Sequence, residues 1–355
     1  MTIVAHQHPY VIGVDTHART HTYAVLSPLG ELLDIAQFPT TTAGMQRAIS
    51  WGARRTGGDL DTLWVIEGTA SYGARLVMLV ASTGYEVVEA PVTPGRVRAG
   101  KGKSDPFDAR QIAAAALPLQ EIELRRPRAG HGYRLALRVL LTARDDLTHE
   151  HTQKMNALTA LLRVHDLGID ARRPLTRTQV AQIAKWRCRS EEIALQIARA
   201  EAVRLAKRLS ELALEIRSNQ DQIHTLLQAT PASELLEITG IGPIGAAVIY
   251  TAWSHQGRVR SEASFAALAG VSPVPASSGN TVRHRLNRGG DRRVNRALHL
   301  AAVTRARCDE ETKAYIAKRT AQGRTPKEIR RCLKRYLARR VYKILNAATT
   351  PPTPN

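Results

Sequence analysis

Residues 195–226 carry a continuous apolar seam in which non-polar side chains recur every three or four residues. This period places them on one face of an α-helix, so the segment predicts a long helix that needs a helical partner. A preceding helical segment, from about Tyr133 to Val164, supplies that partner if the two form a hairpin. The pattern equally allows the seam to pair two copies of the chain. The seam consists of Leu195, Ala198, Ala202, Leu205, Leu209, Leu212, Ile216, Ile223 and Leu226, with polar Asn219 interrupting it.

The first part of the chain has the spacing of strands and shorter helices instead. Short apolar runs bounded by turn residues predict strands, and segments with helical spacing lie between them. Strands that alternate with helices in this way predict a mixed α/β domain. The predicted strands are 10–15, 21–27, 32–38, 62–67 and 85–91.

These patterns predict an α/β domain followed by α-helical regions. In the last region, "TGIGPIG" joins two helices through Gly240, Gly242 and Gly245, as in helix-hairpin-helix modules, where small residues let the backbone approach a phosphate. The alternative is a tight turn between packed helices. The predicted domains are 1–128 (α/β), 129–230 (helical or coiled coil), 231–346 (mostly helical) and 347–355 (a disordered tail).

The chain is strongly basic, with 51 Lys and Arg against 31 Asp and Glu and a net charge of +20. Such a balance indicates a polyanionic partner, and nucleic acid fits better than a membrane surface because the arginines spread over several segments. Three widely spaced cysteines fit a reducing compartment. Since no apolar run reaches membrane-spanning length, we expect a cytoplasmic protein that acts on nucleic acid without a membrane partner.

Four acidic residues stand out in this basic chain. Asp15 and Glu67 end two predicted strands, while Asp105 and Asp108 lie three residues apart at the start of a predicted helix. Spacing of this kind puts both aspartates on one helix face, so the four can converge at one edge of the sheet. Oxygen ligands of this type suit Mg²⁺, which assists phosphodiester chemistry. Taken singly, each acid is equally consistent with a helix cap or a surface charge.

A second candidate site lies in "PASSGNTVRHRLNRGGDRR", where Ser277 and Ser278 precede an arginine-rich stretch. A serine hydroxyl supported by arginines can attack a phosphodiester, although a Ser-Ser-Gly turn has the same pattern. The residues with the charge and placement for nucleic-acid contact are Lys101, Lys103, Arg283, Arg285, Arg288, Arg292, Arg293, Arg296, Arg330, Arg331, Lys334 and Arg335.

Two blocks of sequence resemble one group of insertion-sequence transposases. "VIGVDTHARTHTYAVLSPLGELL", "VIEGT" and "KSDPFDAR" are similar to the N-terminal domain of the bridge-RNA-guided DEDD recombinases, also called serine-dependent DEDD transposases. "LLEITGIGPIGAAVIYTAW" and the stretch through "ASSGNTVRHRLNRGGDRRVNRALH" are similar to the C-terminal transposase domain of that group. The resemblance extends over about residues 10–345 in a consistent order.

The resemblance implies an RNase H-like (RuvC-like) first domain, a coiled-coil insert and a helical C-terminal domain. Asp15, Glu67, Asp105 and Asp108 match the DEDD positions and would bind Mg²⁺, and Ser278 best matches the nucleophile. The implied reaction cleaves donor and target DNA through a 5′-phosphoserine link and then rejoins them.

The implied partners are donor DNA, target DNA and a structured bridge RNA that selects both DNA sequences by base pairing. The group assembles as dimers that pair into tetramers, with active sites shared between protomers. This chain departs from the group in one respect. The group often has a lysine soon after the first aspartate, whereas "DTHART" places His17 and Arg19 there.

Two other functions fit parts of the sequence. The acids alone fit a RuvC-like nuclease or resolvase that uses metal-activated water. The charge and the seam alone fit a non-catalytic nucleic-acid-binding protein that dimerises through a coiled coil, although that function leaves the acids without a role.

Overall fold

The structure is a computed structural model, and it describes residues 2–91, 105–128, 130–187, 189–275, 284, 285, 287 and 289–347. The chain forms two compact units, Met1–Gly130 and His131–Asn355. No helix in the described part of the chain is both long and apolar enough to cross a membrane.

The first unit is built on a five-stranded mixed sheet with the order β3-β2-β1-β4-β5. β1 pairs antiparallel with β2 and parallel with β4, and β5 continues the parallel part beside β4. The mixed α/β prediction is therefore confirmed, with strand ends within one or two residues of the predicted ones. The strands are β1 (Val11–Thr16), β2 (Thr20–Leu26), β3 (Leu32–Pro39), β4 (Leu63–Ile66) and β5 (Glu86–Glu89).

Helices cover both faces of this sheet. The apolar residues of β1 and β4 are fully buried, since their alternate side chains pack into two separate cores. One core includes Trp64 and residues of α2 and α3, and the other includes Val65 and residues of α4. The helices of this unit are α1 (Val4–Gln7), α2 (Thr42–Arg55), α3 (Ala74–Ser82) and α4 (Asp105–Ala116).

A glycine in β1 sets how closely α4 approaches the sheet. A Cβ atom on Gly13 would lie 2.2 Å from the Ala109 carbonyl oxygen and 2.6 Å from the Ala113 nitrogen. Only a residue without a side chain fits there, so the backbones of β1 and α4 are in direct contact. Because Gly13 lies two residues before Asp15, this contact also brings the start of α4 towards the end of β1.

The second unit is helical. Its two longest helices, α5 and α7, pack side by side, which confirms the predicted hairpin. The seam residues of α7 from Ala198 to Leu212 are buried, and Asn219 donates from Nδ2 to the Leu140 carbonyl oxygen of α5 at 3.0 Å. The helices are α5 (Gly132–Val164), α6 (Arg177–Ile183), α7 (Ile193–Gln228), α8 (Pro243–Trp253), α9 (Glu262–Leu268), α10 (Arg292–Cys308), α11 (Glu310–Ala321) and α12 (Pro326–Ala347).

The glycine-rich stretch forms a tight connection between two helical segments. A short 3₁₀ helix, Pro231–Glu237, leads through Gly240 into α8, and Gly240 has a φ of 89°. A Cβ there would lie 2.8 Å from the Ala301 carbonyl oxygen of α10, so this glycine also allows close packing. The close packing of Gly240 fits a tight turn between packed helices. A Cβ on Gly242 would meet nothing within 4 Å, so the backbone there remains accessible, as a helix-hairpin-helix module would require.

One sequence prediction about the second unit is wrong. The pattern from Arg292 to Thr320 predicts a single helix, whereas the structure has α10 and α11 with a break at Asp309. Asp309 adopts an extended backbone, and its carboxylate accepts from the Thr312 nitrogen and pairs with Arg305. An aspartate that caps the following helix explains the break.

We expect the substitution Gly13→Ala to weaken the packing of α4 on β1. The added methyl group has no space, so the free energy needed to separate α4 from β1 should fall by about 1–3 kcal/mol. Native-state hydrogen exchange of the β1 and α4 amides measures this directly. Gly245→Ala is the matched control, because a Cβ there meets its nearest neighbour at 3.7 Å. Unchanged exchange in Gly13→Ala would contradict the close contact.

Candidate active site

The parallel pairing of β1 and β4 brings two of the acidic residues to the same sheet edge. Asp15 lies near the end of β1 and is buried, with an exposed fraction of 5%. Glu67 follows directly after β4, and its nitrogen donates to the Val14 carbonyl oxygen at 3.0 Å. The Thr16 hydroxyl donates to the Glu67 carbonyl oxygen at 3.1 Å. These hydrogen bonds hold the backbone of Glu67 against the end of β1.

The first turn of α4 supplies the other two acids. Asp105 and Asp108 both lie in that turn and are partly exposed. The Gly13 contact holds α4 against β1, so its N-terminal turn stands beside Asp15. Carboxylates also suit this position because the N-terminus of a helix carries partial positive charge.

His17 lies between two of these carboxylates. Its Nε2 atom is 3.0 Å from Asp15 Oδ2 and 3.5 Å from Asp105 Oδ1. Ligand atoms from the three side chains all lie within 4.8 Å of one another. Sequence reasoning noted His17 only as a departure from the family pattern, because spacing alone does not show which way the imidazole turns.

The pKa of Asp15 is raised above its usual value, mainly because burial disfavours the charged form. The neighbouring His17 acts in the opposite direction and lowers it, while the charges of Asp108 and Asp105 raise it further. Both aspartates of α4 are thus close enough to repel the Asp15 carboxylate. A bound cation would relieve this repulsion.

A cleft of about 260 Å³ opens over these residues. Gly68, with a φ of 58°, turns the chain immediately after Glu67, and a Cβ there would come within 2.9 Å of the Thr16 hydroxyl oxygen. The sequence did not single out Ser71 or Tyr72, which the turn also brings to the cleft. The residues lining it are Asp15, Thr16, His17, Glu67, Gly68, Ser71, Tyr72 and Asp108.

The donor set fits a divalent metal ion. Three of the four predicted acids line one cleft, and the fourth, Asp105, is joined to Asp15 through His17. Hard divalent cations take carboxylate oxygens and retain water, which an open cleft permits. Burial is the main cause of the raised pKa of Asp15, and the smaller contribution from the charges of Asp108 and Asp105 is one that a cation in the cleft would relieve.

The predicted nucleophile and four of the predicted basic residues lie outside the described residues. These are Ser277, Ser278, Lys101, Lys103, Arg283 and Arg288. The chain on either side of the two serines is described. Val274–Pro275 pairs with His284–Arg285 as a short antiparallel ladder, β6 and β7.

Contacts made by Gly290, Asp291 and Asn295 close the base of the segment that contains the two serines. The Asp291 nitrogen donates to the Leu268 carbonyl oxygen at 2.6 Å. Asn295 Nδ2 donates to the carbonyl oxygens of Ala269 and Gly270, both at 2.9 Å. Gly290 lies so close to Gly270 that a Cβ on it would be 2.4 Å from the Gly270 nitrogen. The two ends of the segment are therefore fixed to each other.

Lys334 supports this base from α12. It is buried, with an exposed fraction of 8%, and its Nζ donates to Asn295 Oδ1 at 2.8 Å. Burial, together with the charges of Arg330 and Arg331, lowers the pKa of the Lys334 ammonium. Lys334 is among the predicted nucleic-acid contacts, and in this structure its ammonium donates to Asn295.

The other predicted basic residues differ in their surroundings. Arg335 pairs with the Glu262 carboxylate, and Arg293 Nη2 lies 3.0 Å from Asp145 Oδ2. Contact with a phosphate would require these two to exchange partners. The predicted nucleic-acid contacts that are both described and exposed, Arg293 included, are Arg285, Arg292, Arg293, Arg296, Arg330 and Arg331.

Comparison with protein families gives two matches along the chain. Residues 12–165 match the model DEDD_Tnp_IS110, described as a transposase. Residues 232–317 match the model described as the transposase IS116/IS110/IS902 family. The first match contains all four acids, and the second contains both candidate serines.

Curated proteins with detectable similarity come from insertion elements. An uncharacterised protein of insertion element IS110 from Streptomyces coelicolor is 24% identical, covering 88% of each chain. An uncharacterised protein of insertion element IS900 from Mycobacterium paratuberculosis is 26% identical, covering 89% of this chain and 90% of its own. A putative transposase from Sinorhizobium fredii is 26% identical over 79% of this chain and 71% of its own.

The two family models together match more than half of the chain, and they occur in the order that the sequence resemblance predicts. The relatives extend the similarity over nearly the whole length. We conclude that the chain belongs to the IS116/IS110/IS902 family of insertion-sequence transposases.

Proposed function

We propose that this chain is a Mg²⁺-assisted DNA recombinase that cleaves and rejoins donor and target DNA through a serine nucleophile. The observation that carries the proposal is the single cleft lined by Asp15, Glu67 and Asp108, with Asp105 joined to it through His17. The first unit would then be an RNase H-like (RuvC-like) catalytic domain, an inference supported by its mixed sheet and by the DEDD family match.

The four acids would hold the metal. Bound Mg²⁺ supplies positive charge that stabilises the developing charge on a phosphodiester under attack. Asp15 is the rigid member, because it is buried in the strand end and hydrogen-bonded to His17. Glu67 is exposed and lines the open cleft, so its carboxylate reaches the side from which DNA would enter.

Ser278 would carry the covalent step. Its Oγ attacks phosphorus, the bond from phosphorus to the 3′ oxygen breaks, and the released 3′ hydroxyl takes up a proton. The 5′ phosphate remains on the serine until a 3′ hydroxyl from the other DNA attacks it. That attack forms the new phosphodiester, and the serine oxygen leaves and regains its proton.

The basic residues near the serine segment would bind the DNA backbone. Arg285, Arg292 and Arg296 are exposed beside the closed base of that segment, where guanidinium groups can clamp phosphate oxygens. The net charge of +20 supports a polyanionic partner. The proposal extends to a structured bridge RNA that chooses the DNA sequences, and to dimers that pair into tetramers.

The substitution Ser278→Ala should abolish covalent capture of DNA. Full-length protein is incubated with the element's RNA, DNA and Mg²⁺, and the protein–DNA adduct is measured on a denaturing gel. Ser277→Ala is the matched control and should retain the adduct. An adduct that persists in Ser278→Ala would overturn the nucleophile assignment. Cutting without an adduct in both variants would instead favour a nuclease that uses activated water.

Asp15→Asn should abolish the adduct and also stabilise the metal-free protein. Because the pKa of Asp15 is raised in the folded protein, folding disfavours its charged form. The resulting loss of stability is present above the pKa that Asp15 has in the unfolded chain, and it disappears as the pH falls below that value. Removing the charge should raise the free energy of unfolding at neutral pH by about 1 kcal/mol. Thermal unfolding at pH 7 and pH 3 tests this, and the gain should vanish at the lower pH.

Mixing two inactive variants tests whether protomers share the active site. If Asp15 and Ser278 act together across protomers, a mixture of Asp15→Asn with Ser278→Ala contains one intact composite site in each mixed dimer. Each mixed dimer should then give about half of the adduct that a wild-type dimer gives, since one of its two sites is intact. A mixture as inactive as either variant alone would show that each site forms within a single chain.

A further inference from the structure

A second cluster of metal-binding side chains lies at the opposite edge of the sheet from the acidic cleft. It consists of His8, which precedes β1, Glu86, the first residue of β5, and Glu121, which follows α4. One nitrogen or oxygen atom from each side chain lies within 4.8 Å of the others. Since β1, β4 and β5 are parallel, His8 and Glu86 stand at their amino ends, whereas Asp15 and Glu67 stand at the carboxyl ends.

The orientation of His8 is fixed by a hydrogen bond on one side of its ring. Nδ1 lies 2.6 Å from the Asp61 carbonyl oxygen, which can only accept, so Nδ1 carries the proton. In the neutral ring the other nitrogen, Nε2, then presents a lone pair. A histidine that donates one nitrogen to a backbone carbonyl and presents the other is the arrangement found in metal-binding histidines.

The three facing atoms are buried without hydrogen-bond partners in the described structure. They are His8 Nε2, Glu86 Oε1 and Glu121 Oε2. His8 has an exposed fraction of 8%, and its Nε2 lies 3.5 Å from Glu121 Oε2, too far for a hydrogen bond of normal length. Leaving His8 Nε2 and Glu121 Oε2 unsatisfied is costly, so their convergence calls for a group that satisfies both and can also bind Glu86.

Arg126 is a charged neighbour of this cluster. Its Nη2 lies 2.7 Å from Glu86 Oε1 in an ion pair, and more than half of its side chain is exposed. Arg126 therefore offsets part of the charge of Glu86 from the solvent side. Among the described residues, Arg126 gives no hydrogen bond to His8 Nε2 or to Glu121 Oε2.

We propose that His8, Glu86 and Glu121 form a site for Zn²⁺, separate from the acidic cleft. One imidazole nitrogen and two carboxylate oxygens are a zinc-type ligand set, whereas Mg²⁺ prefers oxygen ligands alone. Ligands about 2.1 Å from a tetrahedral Zn²⁺ lie about 3.4 Å apart, and His8 Nε2 and Glu121 Oε2 are 3.5 Å apart. A water molecule would complete the four ligands.

The site would join three segments that are distant in sequence. Backbone hydrogen bonds already link the first residues to the chain after α4, from the Val4 nitrogen to the Leu119 carbonyl oxygen at 2.9 Å. Zinc would add Glu86 of β5 to this connection. It would thereby stabilise the amino edge of the sheet while the carboxyl edge remains open for DNA. The proposal does not depend on the proposed recombinase function.

The test is a Zn²⁺ titration of full-length protein stripped of metal, with Mg²⁺ in large excess to compete for the acidic cleft. The wild type should bind one equivalent of Zn²⁺, and its thermal unfolding temperature should rise on binding. His8→Asn keeps a donor for the Asp61 carbonyl and removes Nε2, and Glu121→Gln keeps the shape of Glu121. Each should weaken zinc binding at least about tenfold.

The controls are Arg126→Gln, which should not weaken binding, and His17→Ala, which alters the histidine of the other cleft. X-ray absorption at the zinc edge should show an imidazole ligand that His17→Ala retains and His8→Asn loses. The imidazole ligand in the wild-type spectrum is itself a test, and that part of the result does not depend on how well a variant folds. No bound equivalent, unchanged affinity in both His8→Asn and Glu121→Gln, or sulfur scattering from cysteine ligands would overturn the proposal.

Discussion

The contact between Gly13 and α4 is the constraint on which the candidate active site depends. Parallel pairing of β1 and β4 brings Asp15 and Glu67 to one edge, but the aspartates of α4 join them only if that helix lies directly on β1. A Cβ on Gly13 would lie 2.2 Å from the Ala109 carbonyl oxygen, so any larger residue would displace the helix. The absence of a side chain at Gly13 thus determines where the acidic side chains of β1 and α4 meet.

The electrostatics of the two regions differ in a way that suits their proposed roles. In a chain of net charge +20, a cluster of carboxylates around a buried aspartate is an exception. Burial raises the pKa of Asp15, and the charges of Asp108 and Asp105 raise it further. Such a cluster lowers the stability of the metal-free protein, as functional sites often do. The base of the serine segment has the opposite character, because buried Lys334 holds the partly buried Asn295 there and exposed arginines lie beside it.

Much of the fold was predictable because its signals are local. Short apolar runs gave the strands, and the seam around Leu205 gave the long hairpin helix α7. The break at Asp309 was missed, since helical spacing continues across it and the aspartate acts only through its cap. For the site, the four acids follow from strand ends and an i,i+3 pair. The positions of His17 and His8 do not, because side-chain orientation depends on partners distant in sequence.

The most direct test of the account is the location of a divalent metal in the first unit. Crystals of the full-length protein with Mn²⁺ in place of Mg²⁺ allow the ion to be located by its anomalous scattering. We expect a peak bounded by the carboxylates of Asp15, Glu67 and Asp108, which Asp15→Asn removes. The absence of a peak in that cleft at saturating Mn²⁺, or a peak that Asp15→Asn leaves unchanged, would contradict a metal site formed by these acids.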